Sequence, residues 1–262
     1  MAPEASYRKR KKRMKLTTKF FLSGVVIVCV VTVFFRGWHL APKGGIEEIK
    51  RSNPVLGVSS FSKSSPIYQA AEDYRRWLFG DKKFSEKTGD LSLADKFLLS
   101  GRYIDKGASR LPTALLEERL SSVGKILASL DTHTCGRYLR GEMPYSEFEN
   151  RIFPVMESFS EAESKAWFAV NRAAIEAQLN EAPIIVLSAE DAKRTIRKLL
   201  SSMYEPQSKE FLAALGSLKA ADDDDACRTA RILYVRGNSL PEPYRGYMAR
   251  MLLTRDEGRE EP

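Results

Sequence analysis

Apolar residues are distributed along this chain in two ways. Between Phe20 and Phe35 they form one uncharged run, FFLSGVVIVCVVTVFF, whereas from Ile67 onward they return every three or four positions. The first pattern predicts a helix that is apolar on every side, and the second predicts amphipathic helices around a core.

The uncharged run has 16 residues. At about 1.5 Å per residue it spans roughly 24 Å, a little short of the ~30 Å hydrocarbon core of a bilayer. Its flanks supply the rest: Lys19 and Arg36 extend their charged heads toward lipid headgroups, and Trp38 is an interfacial residue that carries the helix toward Leu40. A transmembrane helix is expected over residues 20–40. It reads as an uncleaved signal-anchor, because Ala41 has His39 two positions ahead where a signal-peptide cut needs a small residue. Cys29 is preceded by Val28, which also argues against a lipoprotein signal.

The periodic part predicts an all-α exported domain over residues 66–255. Ile67, Ala71, Tyr74 and Leu78 share one face of a helix opened by Pro66. Ser92 caps a helix containing Leu93, Phe97 and Leu98, and Pro112 opens one whose Leu116, Leu120, Val123, Leu127 and Leu130 make a continuous stripe. Ser146 with Glu149, Ser160 with Glu163, and Ser188 with Asp191 have capping-box spacing. Residues 184–187, between two such helices and after Pro183, read as a connector. Further helices are expected over residues 208–219, after Asp222–Asp225 with Asp224 or Asp225 as cap, and after Ser239 and Glu242. Residues 41–65, rich in Gly, Pro and Ser, read as a flexible linker with a short strand or turn possible near Val55, and residues 256–262 as a frayed tail.

Charge sets the orientation. Residues 1–19 hold Arg8, Lys9, Arg10, Lys11, Lys12, Arg13, Lys15 and Lys19 against Glu4, a net +7, which leaves +1 of the chain's +8 for everything else. This topogenic basic cluster places the N-terminus in the cytoplasm and the helical domain across an inner membrane, in a periplasm-like compartment. The same arithmetic removes a nucleic-acid reading of the high pI, since the basicity lies outside the folded domain. The leader's partner is membrane lipid.

Candidate chemistry is sparse. Cys135 and Cys227 are the two cysteines beyond the membrane, and in an oxidising compartment they are a disulfide candidate. His133, two residues before Cys135, invites a nucleophile or metal role, but the only other histidine is His39. The Asp222–Asp225 run lacks the alternating ligands of a calcium loop and reads as helix capping. Glu117, Glu118, Glu147 and Glu163 are the acids available for hydrolysis, and they fall mostly on predicted solvent faces. Trp77, Phe79, Trp167 and Phe168 sit on amphipathic helices and read as core rather than a groove. No catalytic residue, metal site or cofactor is expected. Gly24 has no small residue four positions on, so no tight helix dimer is signalled, and nothing else in the sequence sets an oligomeric state. The chain therefore reads as a single-pass membrane protein whose helical domain is a protein-interaction or assembly module with an envelope protein as partner. The alternative is an envelope hydrolase or transferase acting on cell-wall or lipid material.

Overall fold

The computed structural model describes residues 61–254 apart from Gly141, Pro144 and Lys219. The basic leader, the expected anchor with its flanking Lys19, Arg36 and Trp38, most of the expected linker and the tail lie outside the described residues. Among those described, no helix is long and apolar enough to cross a membrane.

Eleven α-helices and no strand make up the described residues. The order is α1 Pro66–Gly80, α2 Lys82–Thr88, α3 Leu93–Gly107, α4 Thr113–Ser129, α5 Thr132–Leu139, α6 Tyr145–Glu157, α7 Glu161–Leu179, α8 Ala189–Ser201, α9 Glu205–Ser217, α10 Asp223–Asn238 and α11 Tyr244–Leu253, with a 3-10 turn at Ala108–Arg110.

Their starts follow from side-chain acceptors that satisfy amides with no partner inside the helix. Ser65 caps α1 through the Tyr68 amide, with Pro66 in the first turn. Ser92 caps α3, and Ser188 caps α8 through the Asp191 amide. At α7 the box is reciprocal: Ser160 takes the Glu163 amide while the Glu163 carboxylate takes the Ser160 amide at 2.7 Å. The Ser146–Glu149 box involves side chains outside the described set.

Several boundaries differ from expectation. α2 and α5 are additional helices capped by Asp81 and Asp131. α9 begins at Glu205, since Pro206 fits its first turn, and not at Ser208. The cap of α10 is Asp222, which accepts from the Asp225 amide, so Asp224 and Asp225 sit in the first turn and are not the cap. Ser239 ends α10 and takes no part in starting α11, which follows Pro243.

α4 is the central element. Leu116, Leu120, Val123, Ile126 and Leu127 are buried on it, and α6, α7, α10 and α11 pack around it. α7 runs antiparallel to α4, because Arg119 meets Asn171 and Lys125 meets Glu163. α1 runs parallel to α7, with Tyr74 against Phe168 and Trp77 beneath Arg172. α10 is antiparallel to α4: Tyr234 packs on Gly124, while Arg231 reaches the carbonyls of Leu127 and Leu130. Two close approaches to the backbone of another helix need glycine. A Cβ on Gly107 would overlap the Ala174 carbonyl of α7, and one on Gly136 would meet the Asp223 backbone of α10. One large apolar cluster joins α1, α4 to α11 and the intervening turns, and a small satellite of Leu78, Phe84 and Ile175 lies under α2.

Candidate functional site

Three groups of polar side chains carry whatever chemistry the described residues offer. The first lies where α5 meets α10. Cys135 and Cys227 are fully buried and bonded, with Cα atoms 5.5 Å apart. One turn before Cys227, Asp223 takes a hydrogen bond from Arg140 and pairs with His133 Nδ1. Arg140 also holds Glu142 at 3.1 Å. The Arg140 hydrogen bond is the main cause that holds the Asp223 carboxyl below its ordinary range, against partial burial and with help from His133. An imidazole held by a carboxylate is half of a nucleophile-activating arrangement. The missing half would be a hydroxyl or thiol within reach. Thr134 is committed to Asp131 at 2.6 Å and is buried, and Cys135 is in the disulfide. His133 itself is 69% exposed, so its pairing is a surface one.

The second group is internal. Arg119 of α4 stacks on the Trp167 ring at 3.4 Å and donates to Asn171 Oδ1 at 3.0 Å. Tyr74, Tyr138 and Tyr234 surround it from α1, α5 and α10. Burial pulls the guanidinium down to about 10 and pushes all three phenols up. A desolvated cation faced by rings and hydroxyls from α1, α5, α7 and α10, and by the Asp105 carboxylate of α3, fixes how those helices meet. Trp77 carries Arg172 on its face and Lys125 lies over the buried Phe159, so aromatics serve as cation platforms as well as core.

The third group lies at the far end of α10, where α11 starts. Glu117 of α4 is only 16% exposed, and Arg245 Nε stands 3.9 Å from its carboxylate. Burial raises the Glu117 carboxyl above its ordinary value, and the neighbouring Glu242 adds to the shift, while Arg245 opposes it. Glu117 was expected on a solvent face. It is mostly covered because Gly246 lets α11 approach Thr113 and Glu117 closely. Nearby, the buried Arg250 donates to the carbonyls of Leu111 at 2.7 Å and Ile185 at 3.1 Å and to Thr113 Oγ1 at 3.2 Å. It ties α11 to α4 and to the connector after α7.

The first and third groups stand at opposite ends of α10, whose 16 residues span about 24 Å. His133 and Glu117 therefore belong to separate places and cannot act on one bond. Glu163 is consumed by its capping box and by Lys125, which lowers its carboxyl, and Glu147 by Arg137 at 2.6 Å. Among the described residues no group of three or more His, Cys, Asp or Glu side chains is placed to hold a metal ion. Sequence reasoning singled out Cys135, Cys227 and His133 but missed Arg119, Arg140, Glu242 and Arg250, whose partners lie far away in the chain. Compared with protein families, with curated proteins and with solved structures, the chain matches none.

Proposed function

We propose that this is a single-pass inner-membrane protein, N-terminus cytoplasmic, whose helical domain lies in the periplasm as an interaction or assembly module for another envelope protein. The bonded Cys135–Cys227 pair carries the reading. Both sulfurs are buried at a helix crossing, which is how a structural cross-link is used in an oxidising compartment. The apolar run at 20–35 and the +7 leader support the topology from the sequence side. Exposed Tyr204 and Val235, at 69% and 57%, are large apolar surface residues that a protein partner would cover.

The test is in-cell crosslinking and affinity capture of the tagged full-length protein at native expression, against an anchor-only control of residues 1–45. A specific protein that requires residues 61–254 is expected. Capture equal to the control would sink the assembly reading. The second reading, an envelope hydrolase or transferase, is favoured by one observation, the raised Glu117 carboxyl beside Glu242. It requires that Glu117→Gln abolish a turnover that Asp223→Asn leaves intact.

A further inference from the structure

Arg119 lies deep in the domain without being sealed in it. Side chains of α1, α3, α5, α7 and α10 surround the guanidinium, yet the residue keeps part of its surface accessible. So do Trp167 on its face and the neighbouring Tyr74 and Phe168, whose rings pack 5.1 Å apart. A side chain that is enclosed by neighbours and still meets solvent lines a crevice.

A guanidinium carries five N–H groups. Here Nη1 donates to Asn171 Oδ1 at 3.0 Å, and the Trp167 ring covers one face at 3.4 Å. Among the described residues Nε and Nη2 bond nothing, and unlike Arg245 Nε they are not closed off from solvent. They form the side edge of the fork, two parallel donors at the spacing of the oxygens of one carboxylate. Other arginines of the domain have that place filled: Arg137 holds Glu147 at 2.6 Å, and Arg140 holds Asp223 and Glu142. On Arg119 the Asp105 carboxylate of α3 acts as a charge at a distance, without a hydrogen bond.

We propose that this crevice binds a small monocarboxylate, its two oxygens on the Nε and Nη2 edge of Arg119 and its apolar body against the rings of Tyr74, Trp167 and Phe168. An enclosed cation without a contacting counter-charge is costly, and a carboxylate relieves that cost through two charge-assisted hydrogen bonds. One negative charge fits better than two. Arg172 and Lys125, the cations nearest along α7 and α4, are committed to Trp77 and to Glu163. A phosphate dianion would therefore keep a charge uncompensated, whereas aromatic walls suit an apolar body. The site is independent of the side of the membrane on which the domain stands.

Fluorine NMR of 4-fluorophenylacetate, added to the full chain in detergent micelles, is the test. Its neutral counterpart 4-fluorophenylacetamide and protein-free micelles are the controls. At about millimolar concentration the acid is expected to bind, and the amide to bind at least tenfold more weakly. Arg119→Lys keeps the charge and loses the fork, and is expected to weaken the acid at least tenfold while α4 keeps its protection from hydrogen exchange. Acid and amide binding alike, or no more acid bound than by protein-free micelles, would overturn the proposal. Equal binding by wild type and the folded variant would place the acid elsewhere and overturn it too. So would displacement of the acid by an equal concentration of inorganic phosphate, which would make the edge an unselective anion site. Should Arg119→Lys loosen α4, the wild-type chain decides. Phenylglyoxal modification of Arg119, mapped by mass spectrometry, is expected to slow at least threefold with the acid and to be unchanged with the amide. No modification, or equal rates with the two compounds, contradicts the site.

Discussion

The two ends of α10 use charged residues in opposite ways. At the Asp222 end the carboxylate of Asp223 is held by Arg140 and His133, its pKa is depressed, and a disulfide locks the helix to α5 a turn away. At the Leu240 end Glu117 is pressed by α11 against a second carboxyl, its pKa is raised, and Arg245 Nε stays buried with no hydrogen bond. A carboxylate paired with donors strengthens the fold when ionised, whereas a carboxylate buried beside another acid weakens it when ionised. The fold is therefore cross-linked and electrostatically tight at one end and under charge stress at the other. The tight end resists change, and the stressed end is where it would start.

The largest effect should come from the cross-link. Replacing Cys135 and Cys227 together by serine opens a 92-residue separation and is expected to cost about 2–5 kcal/mol, read as a lower denaturant midpoint. Next, Gly107→Ala drives a methyl into the Ala174 carbonyl. The α3–α7 contact must part, at about 3 kcal/mol, checked by thermal unfolding.

Asp223→Asn tests the tight end by pH. Because the folded pKa of Asp223 is lowered, its contribution of about 1 kcal/mol is present above the unfolded value near 4. It fades as pH falls through the lower folded pKa, so wild-type and variant stabilities should converge in acid. Glu117→Gln tests the stressed end with the opposite sign. The raised folded pKa means that the native state binds more protons than the unfolded one, so wild type loses stability as pH rises from the unfolded value through the folded one. At neutral pH the variant should be more stable by up to about 0.5 kcal/mol, with no gain below the unfolded pKa. Equal signs for the two variants at neutral pH would end the contrast between the two ends.

Much of the fold was legible because helix starts and core stripes are local. The α4 stripe from Leu116 to Leu127 is buried as its spacing requires, and Ser160 with Glu163 forms the full capping box. α2 escaped because seven residues carry too little periodicity, with only Phe84 and Thr88 buried. The cap of α10 was misplaced because four successive aspartates give identical local signals. Tertiary partners choose among them, and Asp223 is taken by Arg140 across the α5 crossing. The disulfide was legible from count, since two cysteines beyond the apolar run allow only one bridge. The Glu117–Glu242 pair was not, because its members are 125 positions apart in the chain and come together only through α11. Arg119 carries no local sign of burial either. Its environment is assembled from five helices.

The claim that the cross-linked domain stands on the far side of a membrane from the leader can be read directly. In a Cys29→Ser background, Tyr204→Cys and Ser6→Cys are labelled separately in intact cells with a membrane-impermeant maleimide. The account expects Tyr204→Cys to be labelled in intact cells and Ser6→Cys only after lysis. Labelling of Tyr204→Cys that requires lysis would place the helical domain inside the cell and contradict it.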